Sequence, residues 1–135
     1  MNIRKQDSLP LRSQEDVVAA RQRARAWAVE CGFNIVDQTK IVTATSELAR
    51  NAVIYGGGGL MHMQSLEDTG TVGLRLSFSD DGPGIVDIQL ALKDGYTSGS
   101  GLGLGLGGAR RLMDEFEISS EPQKGTRVTI TRWRR

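Results

Sequence analysis

Residues 100–108 form the stretch Ser-Gly-Leu-Gly-Leu-Gly-Leu-Gly-Gly, and the apolar spacing that follows predicts a helix over residues 103–115. Glycine N–H groups at the start of a helix favour anions such as phosphate. The spacing Gly103-x-Gly105-x-x-Gly108 formally matches the dinucleotide-binding fingerprint, but a loop-like segment rather than a strand precedes it. The chain beyond Gly108 is too short to complete a Rossmann fold, and a Walker A loop is absent. A phosphate-binding loop of another kind is therefore predicted, with a flexible loop as the alternative.

A second glycine-containing stretch, Asp80-Asp-Gly-Pro-Gly84, ends the alternating strand pattern of residues 71–79. A carboxylate at a strand end can accept a hydrogen bond from the exocyclic amine of a base. Gly82 and Gly84 would let a planar ring approach the backbone. Taken alone, this stretch is more typical of an ordinary turn that ends a strand.

Glu47 and Asn51 are four residues apart, so they share one face of a predicted helix, beside its apolar stripe. A carboxylate and an amide placed there could reach a metal ion and a hydroxyl together. The pattern is common by chance, and two exposed polar side chains are the alternative. Further along, Gly125 and Thr126 open the last predicted strand.

Hydrophobic periodicity predicts the order strand, helix, helix, strand, strand, helix, helix, strand, strand. Ser13 and Asp37 are the N-cap candidates of the first two helices, and Gly32 is a candidate C-terminal glycine of the first. The second helix ends at the run Gly56–Gly59, to which the sequence assigns no role. Strands that pair separately from the helices indicate an α+β two-layer sandwich. The remaining predicted elements are strands over residues 2–8, 60–66, 116–120 and 126–133 and a short helix over 86–93.

Composition narrows the class of protein. A length of 135 residues predicts one domain over 1–135. Glycine accounts for 17 of the residues, nearly twice the usual fraction of about 7%. Lys and Arg total 17 against 16 Asp and Glu, which argues against a dedicated nucleic-acid binder. Cys31 is the only cysteine, so an intramolecular disulfide and a cysteine zinc site are excluded, and His62 is the only histidine. Without a long apolar run or a signal peptide, we expect a cytoplasmic protein that does not enter membranes.

Four of these stretches occur in the order typical of the GHKL superfamily of ATP-binding domains (gyrase, Hsp90, histidine kinases, MutL). Glu47–Asn51 resembles its N-box, Asp80–Gly84 its G1 box, Ser100–Leu106 its G2 box and Gly125-Thr126 its final GT element. The resemblance covers about residues 12–133. It implies a Bergerat-type two-layer α/β sandwich with a mixed, mostly antiparallel sheet, helices on one face and a Gly-rich ATP lid.

Within the superfamily, the chain is most similar to the small RsbT-type serine/threonine kinases of bacterial stress signalling. The similarity rests on Val17–Arg21, Ser46–Asn51 and Gly101–Phe116. Tyr55 lies where many anti-sigma kinases carry a histidine, which favours the RsbT type.

The resemblance implies a kinase that uses ATP and Mg²⁺ to phosphorylate a STAS-domain antagonist. A stressosome scaffold would sequester it, and on release it would activate a PP2C-type phosphatase. Two alternatives stay open: an anti-sigma factor that combines kinase activity with sigma-factor binding, and a non-catalytic, ATP-gated binding module. A self-contained histidine kinase is disfavoured, since the chain has no room for a dimerisation helix pair and His62 lies in a predicted strand.

The same resemblance implies roles for individual residues. Glu47 would be the catalytic base and Asn51 the Mg²⁺ ligand. Asp80 would bind the adenine amino group, and Thr126 would lie beneath the base near Asp80. The complete set of implied nucleotide-binding residues is Asn51, Tyr55, Asp80, Gly82, Gly84, Ile85, Ser100, Gly101, Leu102, Gly103, Leu104, Gly105, Leu106 and Thr126.

Overall fold

The computed structural model describes residues 1–85, 87–93 and 105–135. The elements in these residues follow the predicted order, which confirms the α+β class. They are β1 (Asn2–Leu11), α1 (Gln14–Glu30), α2 (Ile35–Ile54), β2 (Gly59–Asp68), β3 (Thr71–Asp80), α3 (Ile88–Ala91), α4 (Leu106–Leu112), β4 (Glu115–Ser120) and β5 (Thr126–Trp133).

The strands form one sheet in the order β1-β2-β3-β5-β4. Each strand pair in the described residues is antiparallel, so the mixed character that was expected is not found in this part of the chain. The reason is that β5 lies between β3 and β4 and runs opposite to both of them. The register places Gly59 opposite Asp80 and Asp80 opposite Thr126, so three strand ends meet at one edge.

Side chains alternate between the two faces of the sheet, as the two-residue period of a strand requires. Met61 and Met63 are fully buried in the core, whereas His62 and Gln64 between and beside them are only half-buried. Helices α1 and α2 pack together and cover the core face. The opposite face is polar, with the hydroxyls of Ser77 and Thr129 3.0 Å apart. The sandwich is therefore built from two layers, as expected.

The ends of α1 follow the sequence closely. Ser13 is the N-cap, and its Oγ accepts from the N–H of Asp16 at 3.4 Å. Gly32 adopts φ +86°, and the N–H groups of Gly32 and Phe33 each donate, at 3.0 Å, to carbonyls of the last helical turn. This is a Schellman motif, for which glycine is the preferred residue.

The start of α2 differs from the prediction. The N-cap is Asn34 rather than Asp37, because the Asn34 side chain accepts from the Asp37 N–H at 2.8 Å. Asp37 instead lies in the first helical turn, where its carboxylate forms a 2.9 Å ion pair with Arg132 of β5. Asp37, the predicted N-cap, thus forms a long-range ion pair that the local sequence does not predict.

Helix α4 ends earlier than predicted, at Leu112 instead of residue 115. Met113 takes an extended conformation (φ −111°, ψ 157°), and the carboxylate of Asp114 accepts from the N–H of Trp133 at 2.7 Å. The chain thereby turns directly into β4. Among the described residues, no helix combines the length and apolar character that crossing a membrane requires.

Candidate active site

A cavity opens between α2 and the adjoining ends of β3 and β5. Its walls are mostly apolar, which suits a flat ring. The lining residues are Leu48, Asn51, Ala52, Tyr55, Gly56, Phe78, Asp80, Pro83, Gly84, Ile85, Leu106, Thr126 and Val128.

Many of the residues predicted from the sequence meet in this cavity. They come from four separate parts of the chain: α2 with its C-cap, the end of β3 with the turn after it, the start of α4, and the start of β5. The members that line the cavity are Asn51, Tyr55, Asp80, Gly84, Ile85, Leu106 and Thr126. The predicted residues Ser100, Gly101, Leu102, Gly103 and Leu104 lie outside the described residues.

Asp80 lies at the end of β3 on the cavity wall. The N–H of Gly82 donates to its Oδ1 at 2.9 Å, and the backbone of Thr126 also donates to this carboxylate. Burial raises the pKa of Asp80, and the neighbouring charge of Asp81 adds to the increase, while the two backbone hydrogen bonds oppose it. The ionised carboxylate is an acceptor only, so it can bind an amino group that enters the cavity.

The contact between Gly56 and Gly82 explains why the run Gly56–Gly59 begins with a glycine. A Cβ atom on Gly56 would overlap the carboxyl carbon of Asp80, and one on Gly82 would lie 2.6 Å from the Cα of Gly56. The end of α2 and the turn after β3 therefore touch backbone to backbone. Glycine at these two positions lets the Asp80 carboxylate pack directly against the end of α2.

Ser120, at the end of β4, is a site residue that the sequence analysis missed. Its Oγ lies 2.7 Å from the backbone N of Ile85, 3.1 Å from the carbonyl O of Gly125 and 2.8 Å from Oγ1 of Thr126. The turn after β3 is thereby fastened to the β4–β5 hairpin. In the sequence, Ser120 is a polar residue directly before a predicted turn, and such residues are too common to indicate a site.

Glu47 lies at the end of the cavity where α4 begins, and it does not line the cavity itself. Both of its carboxylate oxygens accept from Nη2 of Arg50, at 2.9 and 2.8 Å. A Cβ atom on Gly105, which adopts φ +87°, would lie 2.6 Å from Oε2 of Glu47. The carboxylate is thus positioned against the residue that leads out of the glycine-rich stretch.

Asn51 lines the cavity one helical turn after Glu47. Its Nδ2 is buried and has no hydrogen-bond partner within the described chain. Because a buried amide N–H without a hydrogen-bond partner is unfavourable, a bound ligand is expected to supply the missing acceptor.

In the described part of the chain, no group of three or more His, Cys, Asp or Glu side chains could hold a metal ion. A metal here would need oxygen ligands from a bound molecule. Mg²⁺ behaves in this way, since it commonly takes one or two protein ligands together with substrate phosphates. Asn51 with a nucleotide fits that pattern.

Comparison with known proteins finds one matching family model and several similar proteins. The family model described as "Histidine kinase-like ATPase domain" matches residues 11–132. The chain is 44% identical to the serine/threonine-protein kinase RsbT of Bacillus subtilis (strain 168), over 96% of this chain and 98% of that protein. It is also 30% identical to an anti-sigma F factor of Halalkalibacterium halodurans, over 82% of this chain and 80% of that protein.

Two solved structures share the fold. The RsbU and RsbW domains of Rv1364c from Mycobacterium tuberculosis match with a TM-score of 0.66 at 24% identity, over 97% of this chain and 33% of that one. The mycobacterial sensor histidine kinase MprB matches with a TM-score of 0.56 at 19% identity, over 96% of this chain and 97% of that one.

Proposed function

Because the chain belongs to the histidine kinase-like ATPase domain family and is a serine/threonine-protein kinase of the RsbT type, we propose that the cavity beside α2 is its ATP site. The observation that carries this proposal is the meeting of Asn51, Asp80 and Thr126 in one cavity, with Glu47 at the end where α4 begins.

The adenine would enter between the apolar walls, with its amino group directed at Asp80. Asp80 is held by backbone N–H groups, so its carboxylate is already oriented before the base arrives. The phosphates would extend toward Leu106 and the start of α4. Charge on the phosphate oxygens would be neutralised by Mg²⁺ when it is bound, and Asn51 would be its protein ligand.

Glu47 would act on the acceptor protein. The hydroxyl oxygen of a serine or threonine attacks the γ-phosphorus, and the bond from that phosphorus to the bridging oxygen breaks, so ADP leaves. Glu47 takes the hydroxyl proton. Since phosphoryl transfer depends mainly on positioning and charge stabilisation, one carboxylate that orients the nucleophile is sufficient.

We propose partner switching as the setting of this activity. The acceptor would be a STAS-domain antagonist, a stressosome scaffold would hold the kinase, and a PP2C-type phosphatase would be activated on its release. The 44% identity to RsbT over nearly the whole chain supports this setting. Incubation with ATP, Mg²⁺ and STAS-domain proteins, followed by phosphosite mass spectrometry, tests it; absence of a phosphorylated serine or threonine would contradict it.

Anti-sigma activity is a second candidate, favoured by the 30% identity to an anti-sigma F factor. The two functions differ in the protein that is bound. Capture of a sigma factor by the immobilised chain, with no capture of STAS-domain proteins, would favour the second candidate.

Asp80→Asn is expected to weaken ATP binding about tenfold to a hundredfold, since a hydrogen bond to a charged group contributes roughly 1.5–3 kcal/mol. Titration calorimetry measures this, with Asp68→Asn, an exposed aspartate at the far end of β2, as the matched control. A variant that binds ATP as tightly as the wild type would remove Asp80 from the site.

The same Asp80→Asn variant should not lose stability. Because the pKa of Asp80 is raised in the folded protein, its ionised form destabilises the fold as pH rises through that pKa. The variant should therefore melt at the same or a higher temperature than the wild type at pH 7, and its advantage should shrink as pH falls. A lower melting temperature at pH 7 would indicate that the carboxylate is needed for folding.

Asn51→Ala is expected to abolish the part of the ATP affinity that depends on Mg²⁺. Binding is measured with Mg²⁺ and again with excess EDTA, and the two affinities should converge in the variant. Asn51→Asp retains an oxygen ligand and should keep the Mg²⁺ dependence. A wild-type response to Mg²⁺ in Asn51→Ala would contradict the metal assignment.

A further inference from the structure

Ser120 makes three polar contacts at the edge of the cavity, and each comes from a different kind of group. The backbone N of Ile85, at 2.7 Å, can only donate, and the carbonyl O of Gly125, at 3.1 Å, can only accept. The third contact, at 2.8 Å, is the hydroxyl of Thr126, which can do either.

A serine hydroxyl has one proton and two lone pairs. A lone pair accepts from Ile85, and the proton has two neighbours to choose from, the carbonyl of Gly125 and the hydroxyl of Thr126. All three contacts have a proton only when Ser120 donates to Gly125 and Thr126 donates to Ser120. In that arrangement Ser120 sets the direction of the Thr126 proton.

This arrangement decides what Thr126 offers to a ligand. Its proton is used, so its oxygen presents only lone pairs to the cavity that Thr126 lines. Thr126 is also the register partner of Asp80, whose carboxylate is an acceptor. Two acceptors thus lie on neighbouring strands at the same end of the cavity.

We propose that Ser120 is a positioning residue that makes Thr126 an acceptor and thereby selects a 6-aminopurine over a 6-oxopurine. The inference rests on the proposed ATP site. An exocyclic amino group has two protons for two acceptors, whereas a 6-oxo group would place a third acceptor against them. Facing acceptors without a proton between them are costly in a buried site.

Inosine 5′-triphosphate is the matched probe, because it carries a 6-oxo group where ATP carries a 6-amino group. Ser120→Ala frees the Thr126 proton, so the affinity for ATP should fall and that for inosine triphosphate should not. We expect the ratio of the ATP affinity to the inosine triphosphate affinity, measured by titration calorimetry, to fall at least about tenfold. The reason is that one hydrogen-bonding group that distinguishes the two bases is lost. Ser119→Ala, an exposed neighbour on the same strand, should keep the wild-type ratio.

Thr126→Val separates this role from simple fastening of the turn, because it leaves the Ser120 contacts with Ile85 and Gly125 in place. It should lower the ratio as Ser120→Ala does, and the double variant should lower it no further, since both changes act on one hydroxyl. Equal losses for both nucleotides in Ser120→Ala, or an unchanged ratio in Thr126→Val, would overturn the proposal. Failure of the wild type to bind ATP would instead overturn the ATP site itself.

Discussion

Glu47→Gln is expected to lower phosphoryl transfer to a STAS-domain acceptor about 100- to 10,000-fold, the usual contribution of a positioned general base. Glutamine keeps the size and polarity of the side chain but cannot take the hydroxyl proton. Glu47 does not line the cavity, so the affinity for ATP should change less than about twofold. Single-turnover transfer of radiolabelled phosphate, beside calorimetric ATP binding, measures both quantities.

Loss of folding would not explain such a result. The ion pair of Glu47 with Arg50 joins residues three apart on one helix, and such pairs contribute only about 0.2–0.5 kcal/mol. Glu30→Gln is the control, because Glu30 also forms a surface ion pair, at 3.0 Å with Lys5, and does not line the cavity. Transfer by Glu47→Gln at the wild-type rate would exclude Glu47 as the base, and a parallel loss of ATP binding would place it in the nucleotide site instead.

The parts of the site that could be predicted from the sequence are those with a local signal. Asp80 follows an alternating strand and precedes two glycines, and Glu47 and Asn51 share a helical face, so short-range patterns made them candidates. The order of the four stretches, which resembles one superfamily, then singled them out. The meeting of Asp80 and Thr126 follows from the register of β3 and β5, and Asn51 joins them because α2 packs on the sheet; pattern alone supplies neither.

The parts that could not be predicted depend on contacts between distant residues. Gly56 must be small because the Asp80 carboxylate packs on it, 24 residues further along the chain. Ser120 matters because its hydroxyl meets Ile85, 35 residues away. Neither residue type is unusual where it stands, so only the folded arrangement shows its purpose.

The same limit applies to Asp37, whose local pattern fits an N-cap. Its carboxylate instead pairs with Arg132, 95 residues later, at 2.9 Å. The other Arg132 contacts are Oδ1 of Asp114 at 3.5 Å and the carbonyl O of Leu112 at 3.3 Å. Arg132 therefore links the start of α2, the helix of Glu47 and Asn51, to the end of α4.

Asp114 adds a pH-dependent part to this network. Burial alone would raise its pKa, but the N–H of Trp133 and the charges of Arg135 and Arg132 outweigh burial and lower it. Asp114 therefore contributes stability above the ordinary pKa of an aspartate, and that contribution is lost as pH falls through its lowered pKa in the folded protein.

Arg132→Ala is expected to lower the free energy of unfolding by about 3–5 kcal/mol, the usual cost of leaving one partner of a buried ion pair uncompensated. The side chains of Arg132 and Asp37 are 12% and 13% exposed, so water cannot readily replace the guanidinium. Asp114 keeps its ion pair with Arg135 at 2.6 Å in this variant, so most of the lost free energy of unfolding should come from the unpaired charge of Asp37. The positive end of α2 offsets only about 0.3–1 kcal/mol of it. Urea unfolding at pH 7 measures the change.

The matched control is Arg127→Ala, an exposed arginine on the same strand, which should change the free energy of unfolding by less than about 0.5 kcal/mol. Asp37→Asn introduced into Arg132→Ala removes the uncompensated charge and should restore part of the loss. If the two substitutions instead add without coupling, the ion pair does not carry the effect, and the loss would come from the apolar part of the Arg132 side chain. A coupled result would establish that the helix of Glu47 and Asn51 is anchored through a charge at the opposite end of the sequence.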